Sequence, residues 1–133
     1  MKYTLLRTTL SRSLDYSLEL RFKDVISEDN TWSQCVILEV DESNVALQTL
    51  NKSVMKSLEM EPGFQAPCRK AHLSLLYGNL VEDSKEEART IVRRDFGKRI
   101  FDNSFEMKTV ELWKTGGGLE GIPKWSHVAA VYL

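Results

Sequence analysis

The chain has 133 residues, enough for one domain with a sizeable core. Hydrophobic residues make up 42% and charged residues 28%, and the mean hydropathy is -0.30; this is an ordinary soluble globular composition, with no apolar run as long as a membrane span. A formal net charge of -1 excludes a global pull on nucleic acid, so stable nucleic-acid binding is not expected and any phosphate must be held by local groups.

Residues 1–16 read as a leader. Tyr3 to Leu10 is β-prone and hydroxyl-rich and fits either an edge strand or a frayed end. The leader lacks the apolar core and small-residue cleavage site of a secretory signal. Residues 17–133 read as a single domain without internal repeats. Cys35 and Cys68 have the spacing of neither a disulfide framework nor a metal site. They fit buried thiols in a reducing compartment, and a cytoplasmic location is expected.

Ser17 to Asp24 alternates Leu18, Leu20 and Phe22 with Glu19, Arg21 and Lys23, the pattern of a half-exposed strand. Trp32 to Val40 is a second strand, with Val36, Ile37 and Leu38 buried. The short connection through Ser27–Asn30 implies an antiparallel hairpin. Asp41 to Met60 reads as a helix capped by Asp41, Ser43 or Asn44, with Leu47, Leu50, Val54 and Leu58 as its apolar stripe. Pro62-Gly63 ends it, and Pro67 keeps the following loop extended. Arg69 and Lys70 are expected as solvated cations.

His72 to Tyr77 reads as a short buried strand in the middle of the sheet, closed by Gly78-Asn79. A second helix runs from about Ser84 to Arg94, with a Ser84/Glu87 capping box, Ala88, Ile91 and Val92 facing inward, and Arg89, Arg93 and Arg94 as a solvated basic end. Phe105 to Lys114 is a strand. Thr115-Gly116-Gly117-Gly118 is a flexible hairpin tip and not a phosphate loop, because no Lys-Ser/Thr pair opens a helix after it. Trp125 to Leu133 is the last strand. The order of elements gives an α+β fold, a mainly antiparallel sheet with two helices on one face.

The chemistry centres on His72-Leu73-Ser74. Strand side chains alternate, so His72 and Ser74 share a face while Leu73 and Leu75 point away. Such a pair can serve one phosphate: the imidazole moves a proton and the hydroxyl donates to a phosphoryl oxygen. A lone His beside a Ser also fits a structural histidine. Two polar groups on an otherwise apolar strand, followed by an acidic helix start, favour the site.

Ala71-His72-Leu73-Ser74-Leu75-Leu76-Tyr77-Gly78-Asn79-Leu80 and the acidic helix start after it resemble the second half of the plant cyclic phosphodiesterases, members of the two-histidine phosphoesterases. Trp32 to Leu38 resembles the strand before that family's middle helix. Leu112-Trp113-Lys114-Thr115 and Trp125 to Val131 resemble its closing hairpin. The resemblance covers roughly Ser17 to Leu133 and implies two His-x-Thr/Ser motifs, one per lobe of a pseudo-symmetric α+β fold. This chain has one such motif. No histidine precedes His72, and the only other is His127, which lacks a hydroxyl two residues on and is expected to be structural.

The resemblance implies His72 as one acid/base, Ser74 as a phosphate donor, Tyr77 as a substrate contact, and no metal or other cofactor. Strand parity puts Tyr77 opposite His72, so its role requires a bulge or a strand end. The implied substrates are small cyclic phosphates: ADP-ribose 1″,2″-cyclic phosphate and nucleoside 2′,3′-cyclic phosphates. The chain is expected to be the back half of a two-lobed enzyme, completed by a homodimer or a complementing chain. The alternative is a non-catalytic phosphate-binding or interaction module.

Overall fold

A computed structural model describes residues 18–27, 34–58, 71–116 and 118–133. The fold is α+β. Strand β1 (Leu18–Ile26) pairs antiparallel with β2 (Gln34–Val40), and α1 (Val45–Leu58) follows. Strand β3 (His72–Tyr77) returns antiparallel beside β2. Helix α2 (Glu82–Ile91) runs through a π-helical turn (Val92–Phe96) into α3 (Gly97–Phe101), and β4 (Ser104–Met107) pairs with the other side of β1. The sheet order is β3-β2-β1-β4. Strands β5 (Thr109–Lys114) and β6 (Ser126–Tyr132) form a separate antiparallel ribbon, joined through α4 (Gly118–Gly121) and a 3-10 turn (Ile122–Lys124). Among the described residues no helix is long and apolar enough to cross a membrane.

The alternation in β1 sets the core. Leu18 and Leu20 are buried while Glu19 and Arg21 are exposed. Phe22 pairs with Val40 and Asp24 with Glu39, so Lys23 is an extra residue that shifts the register and brings Val25 to the core. One apolar cluster joins Leu18, Leu20 and Val40 to Leu50 of α1 and Val131 of β6. A second joins Val25, Val36 and Leu38 to Ala88, Val92, Ile100 and Phe101 from the α2–α3 segment. Phe22 packs against both, so the helices cover one continuous sheet surface. It also stacks on Phe105 with ring centroids 4.8 Å apart, which ties β4 to β1.

Of the three capping candidates, Asn44 caps α1. Its Oδ1 accepts from the amides of Ala46 (2.9 Å) and Leu47 (3.1 Å), and its Nδ2 donates to the Glu19 carbonyl (2.8 Å). Asp41 instead accepts from the Ser43 amide in the preceding turn, and that bond holds its carboxyl below the ordinary value. Asn44→Ala is expected to lower stability by about 1 kcal/mol. Asn44→Asp is expected to keep the cap and lose only the link to Glu19. Urea unfolding of the two variants checks both.

Four expectations are corrected. The Ser84/Glu87 capping box does not start α2: the helix begins at Glu82, and Val81 at the cap position makes no side-chain cap bond. Glu82 and Asp83 place negative charge beside the first-turn amides in its stead. Ile91 is not inward but 38% exposed, while Ala88 and Val92 pack as expected. The helical path does not end at Arg94; the π-helical turn carries it on to Ile100 and Phe101. Phe105–Lys114 is two strands, because β4 pairs with β1 and β5 with β6. Lys108 lies between them, and its carbonyl accepts from the Leu133 amide at 2.9 Å. Between β5 and β6 the chain forms the helical turns α4 and Ile122–Lys124.

The arginines of α2 and the π-helical turn are paired. Arg89 donates to Glu86, Glu82 and the Ser27 hydroxyl. The hydrogen bond from Arg89 holds the Glu86 carboxyl below its ordinary value. Arg93 reaches the Asp24 carboxylate and the Val25 carbonyl, and Arg94 pairs with Asp95 at 2.6 Å. These contacts tie the segment to β1 and to itself, so the basic end is structural in part and not simply solvated.

Candidate functional site

The β2–β3 ladder fixes the position of the candidate residues. Glu39 lies opposite His72, Leu38 opposite Leu73, and Ile37 opposite Ser74. Directly opposed residues of an antiparallel pair project from the same face. His72 and Ser74 therefore share a face with Glu39 and Ile37, while Leu73 shares the other with Leu38, whose cluster packs on α2. His72 and Ser74 are both half-buried, so the pair is neither sealed in hydrocarbon nor fully in water.

Among the described residues the expected middle strand is at an edge of the sheet, with β2 as the one strand neighbour of β3. Leu73 is 50% exposed, and Leu76 and Tyr77 are exposed as well. Among the described residues, Leu75 packs against the core cluster of Val25, Val36 and Leu38. A leucine-rich run marks apolar surroundings, but it does not distinguish a strand flanked on both sides from one flanked on one.

Two irregularities interrupt the ladder beyond Ser74. The pairs Ile37–Ser74, Val36–Leu76 and Gln34–Tyr77 leave Leu75 as an extra residue on β3 and Cys35 as one on β2. Simple parity therefore no longer relates Tyr77 to His72. Tyr77 is 44% exposed and ends the strand. Gly78 follows with φ +152°, a backbone conformation that glycine adopts and side chains disfavour.

A concavity of about 440 Å³ opens next to the start of β3, lined by Glu42, Leu47, Gln48, Asn51, Lys52 and Ala71. Ala71 is held there by two backbone contacts: its amide donates to Glu42 Oε1 (2.9 Å) and its carbonyl accepts from the Val40 amide (3.0 Å). Among the described residues the lining stops at Ala71, one residue short of His72, and does not include Ser74. Arg69, Lys70, Pro62, Gly63, Pro67, Cys68 and the leader all lie outside the described residues.

His127 belongs to a different sheet from His72. It lies opposite Trp113 on the β5–β6 ribbon, edge-on to the indole with ring centroids 5.3 Å apart. The same indole donates to Glu111 Oε2 at 2.8 Å. This exposed aromatic pairing gives His127 a local partner within the ribbon.

Glu39 is a neighbour of His72 that strand alternation alone does not reveal. It is 8% exposed, sits directly across from His72, and has Asp24 opposite it on the other side. The signal was present in Gln34-Cys35-Val36-Ile37-Leu38-Glu39-Val40, where one acid interrupts an apolar strand. Buried acids are rare unless paired. Among the described residues no group of three or more His, Cys, Asp or Glu is arranged to hold a metal ion.

Set against known proteins, the chain matches no family model and no curated protein sequence.

Proposed function

We propose that this chain is a cyclic-phosphodiesterase-like protein that binds a small cyclic phosphate through His72 and Ser74. The observation that carries this reading is the β2–β3 register, which sets the imidazole and the hydroxyl on one half-buried face beside Glu39. The resemblance of Ala71 to Leu80 and its flanking segments to the plant cyclic phosphodiesterases supplies the substrate class, ADP-ribose 1″,2″-cyclic phosphate and nucleoside 2′,3′-cyclic phosphates.

In hydrolysis, the oxygen of water bonds to phosphorus and one ring P–O bond breaks. The water gives up a proton and the leaving ribose oxygen takes one. His72 serves one of these transfers, and Ser74 donates a hydrogen bond to a phosphoryl oxygen as charge builds there. The other transfer needs a second group, from another copy of the chain or a complementing chain. Tyr77, at the strand end, is proposed as a further substrate contact, and the cytoplasm as the location.

A second reading is binding without turnover. It is favoured by the position of His127, which stands against Trp113 on the β5–β6 ribbon and not on the sheet that carries His72. An assay of purified protein against both substrate classes, with its oligomeric state recorded by light scattering, separates the readings. Ring opening is expected where the chain self-associates. Inactivity in every oligomeric state, with binding retained, would leave the non-catalytic reading.

A further inference from the structure

We infer that the tip of the β5–β6 ribbon binds a nucleoside monophosphate, with Lys114 and Lys124 on the phosphate and Trp125 against the base. A concavity of about 380 Å³ opens there, within the range of small-molecule sites. Among the described residues its lining has none in common with the face that carries His72 and Ser74. The inference therefore stands apart from the cyclic phosphate reading.

Contacts within the connection build the walls. Lys114 ends β5 directly opposite Ser126, which opens β6, so the two side chains leave the ribbon on one face. Thr115 and, from the 3-10 turn, Lys124 line the same concavity. The Trp125 indole donates to the Gly116 carbonyl at 3.3 Å, and its amide donates to the Ile122 carbonyl at 3.0 Å. These two bonds hold the ring in the wall. Gly121 is buried against the Gly116 carbonyl, and a Cβ there would run into it. Glycine at position 121 thus lets the connection close tightly on itself.

The lining is made for an anion that carries a flat ring. The Lys114 and Lys124 ammonium groups and the Thr115 and Ser126 hydroxyls are donors, and Glu120 is the one acid among the described lining residues. Among the described residues neither lysine is in a salt bridge, unlike Lys108 just before β5, which pairs with Glu106 at 3.3 Å. A phosphate monoester carries about two negative charges at neutral pH and a cyclic diester about one, so paired ammonium groups favour the monoester. An indole stacks on a base of any identity. Glu120 offers an acceptor to a sugar hydroxyl, which inorganic phosphate lacks.

Nitrogen-resolved NMR of the full chain titrated with adenosine 5′-monophosphate tests this. The chain has three tryptophans, and Trp125→Phe identifies which indole N–H signal belongs to Trp125. A saturable shift of that signal is expected, with Trp113, whose indole donates to Glu111, little moved. Lys114→Gln and Lys124→Gln, both at exposed positions, are each expected to weaken binding about 10-fold or more, the effect of losing a hydrogen bond to a charged group. Inorganic phosphate, which has no ring, is expected to bind at least about 10-fold more weakly than the monophosphate. Ser74→Ala is expected to bind it unchanged. No shift at Trp125 in the unaltered chain, or full affinity in both glutamine variants, would overturn the inference. So would equal affinity for inorganic phosphate, or binding lost in Ser74→Ala. A missing shift at Trp125 leaves the His72 and Ser74 reading untouched, because that reading is tested with a cyclic phosphate and other variants.

Discussion

Leu38→Ala is expected to lower the unfolding free energy by about 2–5 kcal/mol, a large fraction of the roughly 5–15 kcal/mol that holds a domain together. Leu38 is 3% exposed and lies between Val25 and Leu73 across the sheet. Its cluster carries the packing of Ala88, Val92, Ile100 and Phe101, so truncation leaves a void under the α2–α3 segment. Urea unfolding should show a lower midpoint with an unchanged slope. Leu73→Ala is the matched comparison, one strand further out. Because Leu73 is half exposed, its loss should be much the smaller of the two. Equal losses would mean that β3 is covered as fully as β2.

The difference between those two leucines shows where the sequence stopped being informative. Alternation of Leu18, Leu20 and Phe22 with charged residues located β1, and the Leu47, Leu50, Val54 spacing located α1, because burial on one face imposes a period. The α+β class followed from the order of such segments. Periodicity carries no record of lateral position, so the edge placement of β3 was not legible in Leu73, Leu75 and Leu76. Nor was the break at Lys108, which arises because β4 and β5 pair with different partners. At α2 the Ser84/Glu87 pattern had the correct spacing for a capping box. The helix starts two residues earlier, at Glu82, where the acidic pair and the Arg89 network stabilise the first turn.

His72→Ala is expected to lower cyclic phosphate hydrolysis by about 100- to 10,000-fold, the usual effect of removing a general acid or base. Ser74→Ala removes one hydrogen bond to the developing phosphoryl charge, and a loss of about 100-fold or more is expected. The two should differ in kcat. Both variants lose a contact to the anion, so KM rises in each; without the imidazole a proton also has no route, so kcat falls further there. His127→Ala is the control, since that ring packs against Trp113 on the ribbon, and the rate should not change. Steady-state kinetics with a nucleoside 2′,3′-cyclic phosphate resolves all three.

As for the candidate site, the shared direction of His72 and Ser74 was legible, since it follows from the two-residue period of a strand. Their neighbours were not. Glu39 is brought to His72 by pairing between segments more than thirty residues apart in sequence, and only the register reveals it. The relation of Tyr77 to the pair depends on the extra residues Leu75 and Cys35, and a bulge leaves no reliable mark on either strand taken alone.

The central claim is that one imidazole and one hydroxyl on β3 together hold a small phosphate anion. Calorimetric titration of the full chain with a nucleoside 2′,3′-cyclic phosphate, repeated on Ser74→Ala and His72→Ala, measures this directly. A saturable heat for the unaltered protein that is lost in both variants is the expected result. An unaltered protein that gives no heat, or variants that bind as tightly as it does, would contradict the claim.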